Sequence, residues 1–154
     1  MLTKYYMIEP YIRLARLRDP IGTWLLLFPC WWSYTLASPE VFGPTNYVLF
    51  TFGAIVMRSA GCVLNDLVDR NIDKKVLRTS RRPIATQEIS IPHAIIFLSM
   101  LLFLGFLILI QFNQFTILLG ISSLILILIY PFMKRITFWP QAFLGLTFNW
   151  GALI

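Results

Sequence analysis

Apolar residues in this chain fall in long, almost unbroken runs at about residues 21–37, 47–64, 91–110 and 115–130, and a fifth run opens at Pro140 and continues to residue 154. Within the runs the polar residues do not alternate with apolar ones, as the strands of a membrane barrel require, so each run predicts a helix. A helix that crosses the hydrocarbon of a bilayer needs about 20 apolar residues, with a range of about 17–25. The pattern therefore predicts an all-α, multi-span transmembrane helical bundle, truncated after about four to five spans. It forms part of one domain over residues 1–154, with residues 1–19 at the cytoplasmic or interfacial edge. Residues 9–18 set Tyr11, Leu14, Ala15 and Leu17 among Arg13, Arg16 and Arg18, the pattern of an amphipathic helix lying on the membrane surface. Pro39, Gly43 and Pro44 make residues 38–46 a short turn on the opposite side.

Composition agrees with lipid as the solvent. The chain is 58% hydrophobic and 13% charged, whereas soluble domains carry about 25% charged residues. The charges are also sorted. Lys4, Arg13, Arg16 and Arg18 precede the first run, and Arg70, Lys74, Lys75, Arg78, Arg81 and Arg82 follow the second. Lys134 and Arg135 follow the fourth, while the two remaining connections hold no Lys or Arg. Twelve of the 13 basic residues thus fall on one side, which the positive-inside rule makes cytoplasmic, amino terminus included. The net charge of +6 is explained by this topology and by anionic headgroups, so no nucleic-acid partner is implied. Cys30 and Cys62 read as buried apolar residues without metal or disulfide spacing, and the lone His93 makes neither a triad nor a zinc set. No Arg/Ser-rich transit segment precedes the first run, which favours a bacterial cell inner membrane.

The acids carry the chemical signal. Four of the seven, Asp66, Asp69, Asp73 and Glu88, lie in the polar stretch that follows the second run. If the helix continues through that stretch, Asn65, Asp69 and Asp73 recur every four residues and form one stripe, with Arg58 on the same side and deeper in the membrane. Stacked carboxylates repel one another unless a divalent ion neutralises them, and magnesium binds one or two carboxylates together with substrate phosphate. Arg70, Arg78, Arg81 and Arg82 are close enough in sequence to hold phosphate oxygens. The same acids also suit a solvated helix end that balances the basic loop, and both readings stand on spacing alone. Arg58 is an ionisable residue inside a span, a position that is costly and usually functional, or else a structural partner for an acid. Tyr130, Lys134 and Arg135 suit either an interface anchor or a second set of phosphate contacts.

Gly61-Cys-Val-Leu-Asn65-Asp66-Leu-Val-Asp69-Arg70-Asn-Ile-Asp73, continuing to Arg78-Thr79-Ser-Arg-Arg82-Pro83, resembles the first aspartate-rich motif of the UbiA prenyltransferase family. Tyr130-Pro-Phe-Met-Lys134-Arg135 resembles that family's Y-x-x-x-K segment, and Pro20-Ile-Gly-Thr23 resembles its amino-terminal signature. The resemblance implies a helical membrane fold around a central cavity and magnesium-assisted transfer of a polyprenyl group from polyprenyl diphosphate. The wording of the motifs is most similar to members acting on 4-hydroxybenzoate in ubiquinone synthesis; haem, chlorophyll or naphthoate acceptors are the alternatives, and a non-enzymatic membrane remnant is another. It further implies that Asn65, Asp69 and Asp73 bind Mg2+ and diphosphate, that Asp69, Asp73 and Arg70 are catalytic, and that Arg58, Tyr130, Lys134 and Arg135 contact substrate. Arg58 would meet the aromatic carboxylate. The family carries a second aspartate-rich motif, whereas this sequence has no Asp after Asp73. The 154 residues alone are therefore expected to be inactive without a carboxy-terminal half.

Overall fold

A computed structural model describes residues 2–37 and 43–153, with side chains described for all of these except residues 2–7, 134 and 135. The described residues are helical, as the apolar runs predict: α1 (Leu2–Leu14), α2 (Ile21–Ala37), α3 (Pro44–Asp73), α4 (Ile91–Leu109), α5 (Gln114–Ile136) and α6 (Pro140–Asn149), closed by a 3-10 turn over Trp150–Leu153. Helix α3, helix α4 and residues Gln114–Met133 of α5 are long and apolar enough to cross a membrane. Helix α2 has 17 residues and Pro29 in its interior, which puts it at the lower end of the spanning range.

Packing divides the chain into two compact units. One comprises Met1–Pro20 and Val56–Leu104, the other Ile21–Ile55 and Gly105–Ile154, so α3 and α4 each run from one unit into the other.

In the first unit Leu14 of α1, Ala60, Val63 and Leu67 of α3, Ile84 and Ile89 of the connection, and Ala94 and Leu101 of α4 form one buried cluster. Tyr11 packs edge-on against Phe97 at 5.1 Å between ring centroids. The amino-terminal segment departs from the expected 9–18 helix. It is helical from Leu2 and stops at Leu14, because Arg16 adopts a left-handed backbone with φ of 53°. The Arg16 N–H bonds the carbonyl of Arg13 and the Leu17 N–H bonds that of Ile12, which satisfies the last carbonyls of the helix. Arg16 and Arg18 therefore lie beyond the helix rather than on its surface face.

Helix α3 continues nine residues past the end of its apolar run. Its 30 residues make a rod about 45 Å long, against about 30 Å of hydrocarbon, so the polar end stands clear of the apolar layer. It stops at Asp73, where the Lys75 N–H turns back to Ile72 at 2.9 Å and the Thr79 hydroxyl donates to the Asp73 carbonyl at 3.1 Å. The connection from Lys74 to Ser90 is a chain of such local turns. It leads into α4, where Pro92 occupies the first turn, a place that tolerates a missing N–H.

In the second unit aromatic rings meet along α2, the start of α3 and the residues before α5. Phe28 stacks on Trp24 and Trp32, Tyr34 meets Tyr47 edge-on at 5.1 Å, and Phe50 stacks on Phe112 at 4.7 Å. Asn113 caps α5 by accepting the Thr116 N–H at 2.8 Å. The final turn docks on α2 through Gly151, where an added Cβ would lie 2.5 Å from the Cys30 sulfur. Residues 38–42 of the expected 38–46 turn lie outside the described residues.

Candidate active site

Helix geometry decides how the acids of α3 divide. Each step of four residues turns the helix about 40° past a full revolution, and each step of seven falls about 20° short of two. Arg58, Asn65 and Asp69 consequently share a face about 40° wide. Asp73 has wound about 40° beyond Asp69, and it falls within about 20° of Asp66. The burial follows this division. Arg58, Asn65 and Asp69 are half-buried, while Asp66 is 2% exposed and Asp73 is 6% exposed.

The buried pair is bound by arginines. Arg16 Nη2 donates to Asp66 Oδ1 at 3.0 Å, and Arg82 Nη1 donates to the same oxygen at 3.0 Å. Arg82 Nη1 also donates to Asp73 Oδ2 at 2.7 Å. Two carboxylates and two guanidinium groups thus balance locally, as charges removed from water must. Around them, Arg13 pairs with Glu88, and Arg18 pairs with Glu9 at 2.8 Å. Arg70 donates to the backbone carbonyl of Leu67 at 2.8 Å. Lys74, Lys75, Arg78 and Arg81 are exposed, so Arg82 is the basic residue of the connection that turns inward.

Among the described residues no group of three or more His, Cys, Asp or Glu side chains is placed to hold a metal ion by itself. The donors present suit a different arrangement. Asn65 and Asp69 share a face, and Asp73 directs one of its two carboxylate oxygens at Arg82. That set fits a hard cation that takes one or two carboxylates and completes its shell with phosphate and water. It does not fit an all-protein cage.

Of the residues marked by sequence, α3 carries Asn65, Asp69, Arg70 and Asp73 on its polar end and Arg58 at its middle, within the apolar run. Tyr130 is half-buried on α5 in the second unit, and the side chains of Lys134 and Arg135 lie outside the described residues. Two participants were missed. Asp66 was discernible, since it precedes Asp73 by seven residues and so shares its face. Arg16 carried no signal, because no glycine or turn residue marks the end of α1.

Residues 26–154 match the model of the UbiA prenyltransferase family. The chain is 52% identical over 149 residues to a protein of Rattus norvegicus named 4-hydroxybenzoate polyprenyltransferase, mitochondrial, covering 96% of this chain and 40% of that protein. It is likewise 52% identical to the Homo sapiens protein of that name, with the same coverage of both chains. The Arabidopsis thaliana protein of that name is 53% identical over 149 residues, 96% of this chain and 37% of its own length. The chain therefore spans about two fifths of the length of the curated relatives it matches. No solved structure matches. A family match that takes in α3 with its acidic end, and 52% identity over 96% of the chain, lead to one conclusion: the chain belongs to the UbiA prenyltransferase family.

Proposed function

We propose that this chain supplies the diphosphate-binding end of a membrane prenyltransferase that attaches a polyprenyl group to the ring of 4-hydroxybenzoate, the acceptor that its relatives' names give. The observation that carries the proposal is the polar end of α3. Asn65 and Asp69 share one face there beside a buried Asp73, and Arg58 lies on that same face about two turns deeper in the apolar part of the helix. Asn65, Asp69 and Asp73 would hold magnesium together with the substrate's diphosphate. Bound there, the ion offsets the charge of the departing diphosphate. Arg70 and the exposed Arg78 and Arg81 stand near enough in sequence to add phosphate contacts. The bond between the prenyl carbon and the diphosphate oxygen breaks, and the electron pair leaves with the diphosphate. The electron-rich ring carbon beside the phenol bonds to the allylic carbon and then gives up its proton to water. Arg58 suits the carboxylate of an acidic acceptor, because a half-buried guanidinium is well matched to a planar carboxylate.

We place the chain in an inner membrane, of a cell or of a mitochondrion, with its basic connections on the cytoplasmic or matrix side. The sorting of twelve of 13 basic residues supports this orientation. Full-length gene product in membranes should transfer labelled polyprenyl groups to 4-hydroxybenzoate in the presence of magnesium, and at least about tenfold less to a neutral phenol. Equal transfer to a naphthoate or haem acceptor would overturn the acceptor assignment. The 154 residues alone contain one aspartate-rich stretch and should show no turnover.

A further inference from the structure

Arg16 holds an unusual place. The left-handed residue after a helix is commonly glycine, which adopts that backbone without steric cost, and arginine does not. An outlier of this kind persists where its surroundings over-determine it. Here the surroundings are ionic: the Arg16 side chain reaches a carboxylate that is 2% exposed. That carboxylate, Asp66, accepts a second guanidinium from Arg82, whose Nη1 also holds Asp73. Arg82 in turn is presented by turns folded back on the end of α3, with its N–H bonded to the Thr79 carbonyl at 3.0 Å and the Thr79 hydroxyl bonded to the Asp73 carbonyl. One continuous chain of charge-assisted bonds therefore runs from the end of α1, through Asp66 and Arg82, to Asp73.

Asp66 is poorly suited to bind a cation itself. A metal at its Oδ1 would face two guanidinium groups at bonding distance. We propose that Asp66 is the buried anchor of the site and that Arg16 and Arg82 are positioning residues. They fix the end of α3 and orient the Asp73 carboxylate, and they make the order of the amino-terminal segment depend on the site and the site depend on it. The proposal rests on the prenyltransferase reading for its kinetic consequence, but its structural content is independent of that reading.

The test uses full-length gene product in lipid nanodiscs. Arg16→Gly keeps the turn and removes the guanidinium, so it separates backbone from side chain. Positioning predicts that Arg16→Gly and Asp66→Asn each raise the magnesium concentration for half-maximal transfer about tenfold, and that the double variant is no worse than the poorer single variant. Amide exchange across residues 9–18 should accelerate about tenfold or more in Asp66→Asn. If Arg16→Gly yields no folded protein, Arg16→Lys replaces it, and that variant should fall between wild type and Asp66→Asn in both readouts. Unchanged magnesium dependence with unchanged exchange would overturn the proposal. If wild type transfers no prenyl group at all, the prenyltransferase reading fails, and the exchange measurement alone decides whether the network anchors α1.

Discussion

The two packed units of this chain differ in what accompanies their apolar packing. Every ion pair seen among the described residues lies in the unit built from Met1–Pro20 and Val56–Leu104. The other unit carries stacked and edge-on rings along α2 and the start of α3 instead. Ring packing is broad and tolerant, since an offset of an ångström or a change of tilt costs little. A buried ionic network is directional, and losing one member leaves another charge unpaired in a poor solvent. The unit that carries the candidate site is therefore the one whose geometry is set residue by residue.

Substitutions can break or sharpen this contrast. The largest effect is expected from Arg82→Met, which keeps most of the side-chain volume and removes the donor shared by Asp66 and Asp73. Removing one partner of a buried pair costs about 3–5 kcal/mol, and partial exposure of Arg82 places the loss at about 3 kcal/mol. Thermal unfolding in nanodiscs would register it as a marked fall in Tm. A smaller loss, about 1–3 kcal/mol, is expected from Gly151→Leu in the aromatic unit, because its Cβ meets the Cys30 sulfur and the Leu26 carbonyl. Unlike Arg82→Met, it should leave magnesium dependence unchanged. The smallest effect is expected from Asn113→Ala, which removes one helix cap at about 1 kcal/mol. A reversed order, with Gly151→Leu costing more than Arg82→Met, would mean that the ionic unit is not the more sensitive one.

Much of the architecture was legible because apolar runs in lipid report helices directly. The run at residues 21–37 coincides with α2, and the fifth run begins where α6 begins. Hydropathy was blind to the polar end of α3, which the Asn65, Asp69 and Asp73 spacing brought out only on the condition that the helix continued. It does continue, yet the stripe winds, since four residues overshoot one turn. Asp73 is consequently drawn to the face of Asp66. The start of α1 at Leu2 and its stop before Arg16 were not legible, because Pro10 within the helix and an arginine in place of glycine are the opposite of the usual punctuation. Arg82 was one of several arginines in a basic stretch, and only the fold of the connection distinguishes it from the exposed Arg78 and Arg81.

The central claim is that the end of α3 is where diphosphate and magnesium are held. The most direct measurement is a magnesium titration of labelled prenyl transfer to 4-hydroxybenzoate by full-length gene product carrying Asp69→Ala or Asp73→Ala, with folding checked by thermal unfolding. A loss of at least about a hundredfold in either folded variant is predicted, the scale expected when a group that stabilises developing charge is removed. Wild-type transfer and wild-type magnesium dependence in both variants would contradict the claim.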